Sequence, residues 1–186
     1  MKKLALISVL VAALFGVLAT TIHSEDSDSL DVKVVPLVVA VRIPAEDSLV
    51  DFGAMALSVD NDNRTSDESS GLNVFNDGSV AVDLLIQGSN AVTTTGGHSN
   101  WTLDCSDPLR GAVGVNQFAL RYAPGMEPDW AQVGKSLCSS EGKTLATGIQ
   151  AGGGQAQFEL EMNMPTGTTG YSERTSTVTI TAIQIQ

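Results

Sequence analysis

Basic residues are scarce in this chain: 10 Lys and Arg stand against 21 Asp and Glu, a formal net charge of −11 over 186 residues. Binding to nucleic acid or to anionic lipid relies on clusters of Lys and Arg that neutralise phosphate. The sequence has no such cluster, so neither is expected as a partner. Histidine is scarcer still, with only His23 and His98. Nucleophilic catalysis needs a Ser, Thr or Cys beside a base that a third group orients. His98 sits in a glycine-rich stretch, and no Gly-x-Ser-x-Gly elbow accompanies either histidine. The acids fall in turn segments and on the polar side of alternating strands, where nothing is expected to lift a carboxyl pKa as acid–base hydrolysis requires. The chain therefore reads as a protein without catalytic residues. Long apolar runs are confined to the first eighteen residues, and no stretch beyond them repeats with the 3.6-residue period of a helix.

That first run has the layout of a secretory signal. Lys2 and Lys3 form a positive start, and Leu4 to Leu18 is apolar apart from Ser8 and Gly16. It is shorter than the roughly 20 residues of a spanning helix. Val17 and Ala19 supply small side chains for a peptidase, so residues 1–19 are expected to be removed, with Thr21 and Ser24 as alternative cleavage points. No Cys follows the run to carry a lipid. The expected destination is outside the cytoplasm, in the medium or at the cell surface, and the same signal also serves a periplasm. Cleavage after Ala19 leaves 167 of the 186 residues, with 8 basic and 21 acidic side chains, a net charge of −13 with His neutral. That length fits one domain with a real core. Residues 20–31, rich in Ser and Asp, read as a flexible acidic leader, and 32–186 as the domain.

Cysteine is nearly absent too. Cys105 and Cys138 are the only two, and in an oxidising compartment such a pair is expected to join. A loop of that length is worth roughly 3–4 kcal/mol in the chain-entropy description. No Cys-x-x-Cys spacing favours redox or metal chemistry.

What the sequence has in abundance is β pattern. Val32 to Ile43 is rich in valine, and Pro36 within it points to an edge strand or a bulge. An apolar stretch runs over Met55–Val59. Leu72–Phe75 and Val80–Ile86 flank Asn76-Asp77-Gly78-Ser79, and an Asp-Gly pair between two such runs predicts a hairpin with a type I′ turn. In the second run Val80, Val82, Leu84 and Ile86 share the face expected inside. Trp101–Cys105 reads as a short strand with Trp101 buried. Over 117–122, Phe118, Leu120 and Tyr122 point in, while Gln117, Ala119 and Arg121 point out. Over 155–162, Ala156, Phe158, Leu160 and Met162 form a dry face against Gln155, Gln157, Glu159 and Glu161 on a wet one. Trp130–Val133 has room for one helical turn. In the last segment Val178, Ile180 and Ala182 share a face before Ile183 and Ile185 shift phase, which predicts a bulge. About eight short strands between Gly, Asn, Asp and Pro turns predict an all-β fold, an antiparallel two-sheet sandwich of immunoglobulin-like type.

The order Asp51-Phe52-Gly53, Leu72-Asn73-Val74-Phe75-Asn76-Asp77-Gly78, Val82-Asp83-Leu84, Trp101, Phe118-Ala119-Leu120-Arg121 and Thr177-Val178-Thr179-Ile180-Thr181-Ala182 resembles that of exported bacterial and archaeal β-sandwich proteins. These include the TasA- and camelysin-like fibre subunits. The resemblance spans most of 32–186 and implies a structural role at the cell surface or in a fibre, with no catalytic residue to carry over. The chain departs from the pattern in its cysteine pair and in the acidic loop at 60–68.

That loop is the one candidate for a metal. Asp60, Asp62, Asp67 and Glu68 offer the oxygen ligands that calcium takes, although Arg64 occupies a ligand position and the glycine of an EF-hand is missing. Asn63-Arg64-Thr65 and Asn100-Trp101-Thr102 match the N-glycosylation acceptor pattern. Two function classes follow. One is a subunit of an extracellular fibre, pilus or surface layer that self-associates by β-strand addition through residues 32–43. Against it stands the plainer reading of 32–43 as the first strand of its own sandwich. The other class is a monomeric extracellular module binding carbohydrate or a calcium-bridged ligand, suggested by the acidic loop and the two tryptophans.

Overall fold

Alternating apolar and polar residues make strands with one oily face, and the stable way to cover such faces is to lay one sheet on another. The computed structural model of the chain describes residues 33–34, 36–93, 99–106 and 109–185. The expected signal (1–19), the leader (20–31) and His98 lie outside them. Pro36–Gln186 forms one unit, and its described residues carry twelve strands and one four-residue α-helix.

The larger sheet contains β1 (Val41–Arg42), β2 (Ser66–Glu68), β3 (Leu72–Asn76), β6 (Thr102–Leu103), β7 (Gln117–Pro124), β8 (Lys135–Ser136) and β10 (Gly154–Asn163). Its order is β1-β3-β10-β7-β6, with β2 beside β10 and β8 beside β7. Every pairing is antiparallel except β6 with β7. The smaller sheet has the order β12 (Thr179–Gln184), β4 (Val82–Gln87), β9 (Lys143–Ile149). A two-stranded piece joins β5 (Val92–Thr93) to β11 (Arg174–Thr175). Leu72 and Val74 of β3, Phe118, Leu120 and Tyr122 of β7, and Phe158 and Leu160 of β10 meet Val82, Leu84 and Ile86 of β4 and Leu145 of β9 in one core. Tyr122 also ties the sheets by donating its hydroxyl to the Thr144 carbonyl at 3.0 Å. The molecule is an all-β, two-sheet sandwich. The inward sets expected on β4, β7 and β10 lie in or against the core, Trp101 is buried, and the helix α1 forms at Trp130–Val133.

The hairpin expected at Asn76–Ser79 is absent. β3 and β4 belong to different sheets, so this turn is an arch that carries the chain across the sandwich. Neither Asp77 nor Gly78 has the positive φ of a type I′ turn. Gly78 is needed for space: a Cβ there would lie 2.4 Å from the Val38 carbonyl oxygen. Asn76, fully buried, holds the arch. Its amide donates to the carbonyls of Val80, Ile149 and Gln150, and its Oδ1 accepts from the Gly78 N–H. Two of those acceptors belong to the parallel-running arch from β9 to β10, so one side chain clamps both crossings.

Three further expectations give way. The apolar stretch Met55–Val59, placed among the β-patterned segments, forms no strand, although Met55 and Leu57 still pack against the core, as do Val50 and Phe52 before it. β12 keeps an unbroken register with β4 from Thr179↔Gln87 to Gln184↔Val82. No bulge returns Ile183 and Ile185 to the interior, and they remain 48% and 43% exposed. Finally, the face of β10 expected to be wet is covered in its second half: Gln155 and Gln157 are exposed as expected, but Glu159 and Glu161 are 5% and 7% exposed.

Candidate functional site

The two sheets align so that β1 and β12, each the last strand on its side, lie against each other on one flank. The residues leading into β1 run along the arch. The Ser79 N–H donates to the Val38 carbonyl at 2.8 Å, the Asp77 N–H to the Ala40 carbonyl at 3.1 Å, and the Val38 N–H to the Ser79 hydroxyl at 2.8 Å. Val41 and Arg42 then pair with Asn76 and Phe75. Within 36–43, therefore, Val41–Arg42 is an edge strand of its own sandwich, and the stretch after Pro36 reaches it along the arch without strand pairing. Val41 packs on the core, while Leu37, Val38, Val39 and Ile43 stay exposed. Arg42 fixes the end of the segment: its guanidinium pairs with Asp77 at 2.7 Å and lies 4.7 Å from the Phe75 ring centroid. The hydrogen bond to Asp77 holds the Arg42 pKa above its ordinary value.

On the other flank, where β6 and β9 end the sheets, Cys105 and Cys138 are joined, with Cα atoms 5.3 Å apart. Leu109 and the stretch from Trp130 to Gly134, on either side of β7, lie over the outer face of the larger sheet. Directly paired residues of antiparallel strands point to one face, so the register puts Ser136, Arg121, Glu161 and Glu68 in a row across that face. Arg121, 8% exposed, donates to Glu161 at 2.5 Å, to the Leu109 carbonyl at 2.9 Å and to the Trp130 carbonyl at 2.5 Å, and its guanidinium lies 5.4 Å from the Trp130 ring centroid. Nothing larger than glycine fits at 134, where a Cβ would stand 2.4 Å from Arg121 Nη2. These contacts account for the burial of a face that alternation assigns to water.

The acidic residues proposed for calcium do not converge. Asp60 spends its carboxylate on its own loop, accepting from the backbone N–H groups of Asp62 and Asn63 at 2.8 Å each. The Asn63 and Asp62 amides hold its pKa below the ordinary aspartate value. Asp67 and Glu68 lie apart from that turn, in β2, where Asp67 accepts from the Glu68 N–H. Arg64 ties the turn to the covering loop by donating to the Arg110 and Gly111 carbonyls. Among the described residues, no group of three His, Cys, Asp or Glu side chains is placed to hold a metal.

One groove opens beside this face, about 560 Å³, where β2 breaks into β3. Glu68, Glu127, Glu159, Met126 and Trp130 line it. Glu159 accepts from the Glu127 N–H at 2.8 Å, and the Trp130 indole N–H has no partner. The other tryptophan is committed to structure. Trp101 donates to Thr168 Oγ1 at 3.0 Å, and the Arg174 guanidinium lies 4.3 Å from its ring centroid. Among the described residues no helix is long and apolar enough to cross a membrane. The chain matches no protein-family model, no curated protein and no solved structure.

Proposed function

We propose that the mature chain is an exported structural protein of immunoglobulin-like type, a subunit of a cell-surface or extracellular fibre. Its copies associate through the flank that carries residues 36–43. The observation behind this reading is the flank where β1 and β12 end the two sheets, with Leu37, Val38, Val39 and Ile43 exposed beside them, whereas the disulfide lies next to β6 and β8 on the other side. An open edge supplies backbone hydrogen bonds to an incoming strand, and side chains on alternate positions select it. The disulfide and the expected signal support export. The resemblance to TasA- and camelysin-like subunits points the same way. Light scattering of the mature protein at rising concentration tests the reading: mass should grow with concentration, and a synthetic peptide of residues 32–43 should suppress the growth. A constant monomer mass up to millimolar protein would remove the proposal.

A second reading rests on the groove beside Trp130. An aromatic side chain beside polar groups suits a monomeric module for carbohydrate; a calcium-bridged ligand would have to bring most of the metal's oxygens itself, since the carboxylates there are not gathered into a metal site. Titration with Ca²⁺ and with oligosaccharides should then change the indole emission of Trp130, using Trp130→Phe as the control. Emission that stays flat in both titrations rejects it.

A further inference from the structure

We infer that the outer edge of β12 is a homotypic contact, pairing antiparallel with β12 of a second copy of this chain to continue the smaller sheet from one molecule into the next. The inference rests on the proposed assembly and names one of its contacts: an isologous pair closes on two copies, so growth beyond a dimer needs a second contact, through residues 36–43.

Sheet edges are protected by shortness, by Pro or charged side chains, and by bulges that bend the strand away. The edges of this sandwich differ in how far they carry such protection. β1 is two residues long, follows Pro36, and carries Arg42 held by Asp77. β9, the other edge of the smaller sheet, begins at Lys143, which is paired with Glu141. Its register against β4 shifts twice, and Gly148 within it has φ +69°. β12 has none of these devices. It runs six residues in continuous register, and the chain from Thr175 to Gln186 contains no charged residue, no Pro and no Gly. Among the described residues no strand pairs with its outer side.

Two features select a second copy as the occupant. The mature chain has 21 acidic residues against 8 basic ones, so two copies repel each other wherever carboxylates meet. The β12 edge is the strand along which they meet without that cost. An isologous antiparallel pair also presents the same side chains from both partners. Cross-strand pairing places Thr179, Thr181 and Ile183 on the outer face with Gln87, Leu85 and Asp83 of β4. A neighbouring β12 would therefore bring a second Ile183 onto a face where the first is half exposed, covering apolar surface that its own fold leaves in water.

The test uses the whole mature chain, residues 20–186. Sedimentation equilibrium is compared for the wild type and for a Thr181→Lys, Ile183→Lys variant. Both substitutions point outward and place the missing edge charge. The wild type should associate, and the variant's dissociation constant should rise at least tenfold while its circular dichroism and Tm stay unchanged. A second measurement needs no variant: amide exchange by NMR in the wild type should slow at least tenfold at alternate residues of Thr179–Gln184 as concentration rises. If the wild type assembles but the variant assembles equally and the β12 amides exchange at unchanged rates, the contact lies elsewhere. The N-terminal segment would then be the occupant; the inference falls and the assembly reading survives. If the wild type stays monomeric, both fall.

Discussion

Arg121 stands on the side of β7 that alternation assigns to solvent, yet it is buried with Glu161 beneath the covering loop. A buried ion pair gains less than its Coulomb energy suggests, because both charges lose water. Removing one partner is costly, since the other is left buried and uncompensated. Arg121→Met is expected to lower stability by about 3–5 kcal/mol, and Arg121→Met with Glu161→Met to recover much of that. Denaturant melts of the two variants check this, and equal losses would show that the cost is packing rather than charge. Tyr122 gives a different signature. Burial pushes its phenol pKa up, so the fold disfavours the ionised form. Its contribution should be complete below the ordinary pKa near 10 and be lost as pH rises through the higher native value. Wild type should therefore lose Tm in strong alkali more steeply than Tyr122→Phe; parallel curves would refute the assignment. At this scale the inward residues are legible in the sequence, because period-two alternation reports one buried face. Arg121, Glu159 and Glu161 are not, because what covers them comes from aperiodic segments on either side of β7, Leu109 and Trp130 among them, whose packing no period reports.

The arch at Asn76–Ser79 shows where element-level reading fails. Asp-Gly between two strands signals a turn correctly, but turn chemistry alone does not say whether the second strand pairs with the first or crosses to the facing sheet. The distinction lies in contacts from distant segments, the Val38 carbonyl against Gly78 and the Ile149 and Gln150 carbonyls on Asn76. Gly78→Ala should accordingly cost about 1–3 kcal/mol through overpacking and expose the 36–42 segment to limited proteolysis. A variant as stable and as protected as the wild type would mean that the segment tolerates displacement. The disulfide belongs to this scale as well. Its pairing is legible from the presence of just two cysteines, whereas its place next to β6 and β8 is not. Replacing both Cys105 and Cys138 with Ser should lower stability by about 3–4 kcal/mol, as read from urea melts, and should loosen the cover over Arg121. The missing bulge in β12 has the opposite lesson. A phase shift of apolar residues implies a bulge only when the fold buries them, and here Ile183 and Ile185 stay outside.

At the scale of the molecule, charge and edges set opposing terms. A net charge of −11 keeps copies apart, while the open flank offers backbone and apolar surface to a neighbour. Salt screens the first, so association should increase between about 20 and 500 mM NaCl, as followed by light scattering. Association that falls with salt would point instead to an ionic contact. The sandwich class is legible from strand rhythm and turn residues. The flank is not, because sequence periodicity says nothing about which strands end a sheet. The most direct measurement is negative-stain electron microscopy of purified mature protein at high concentration. Fibres or continuous sheets of repeating subunits are predicted, and a field of separate single-domain particles would contradict the account.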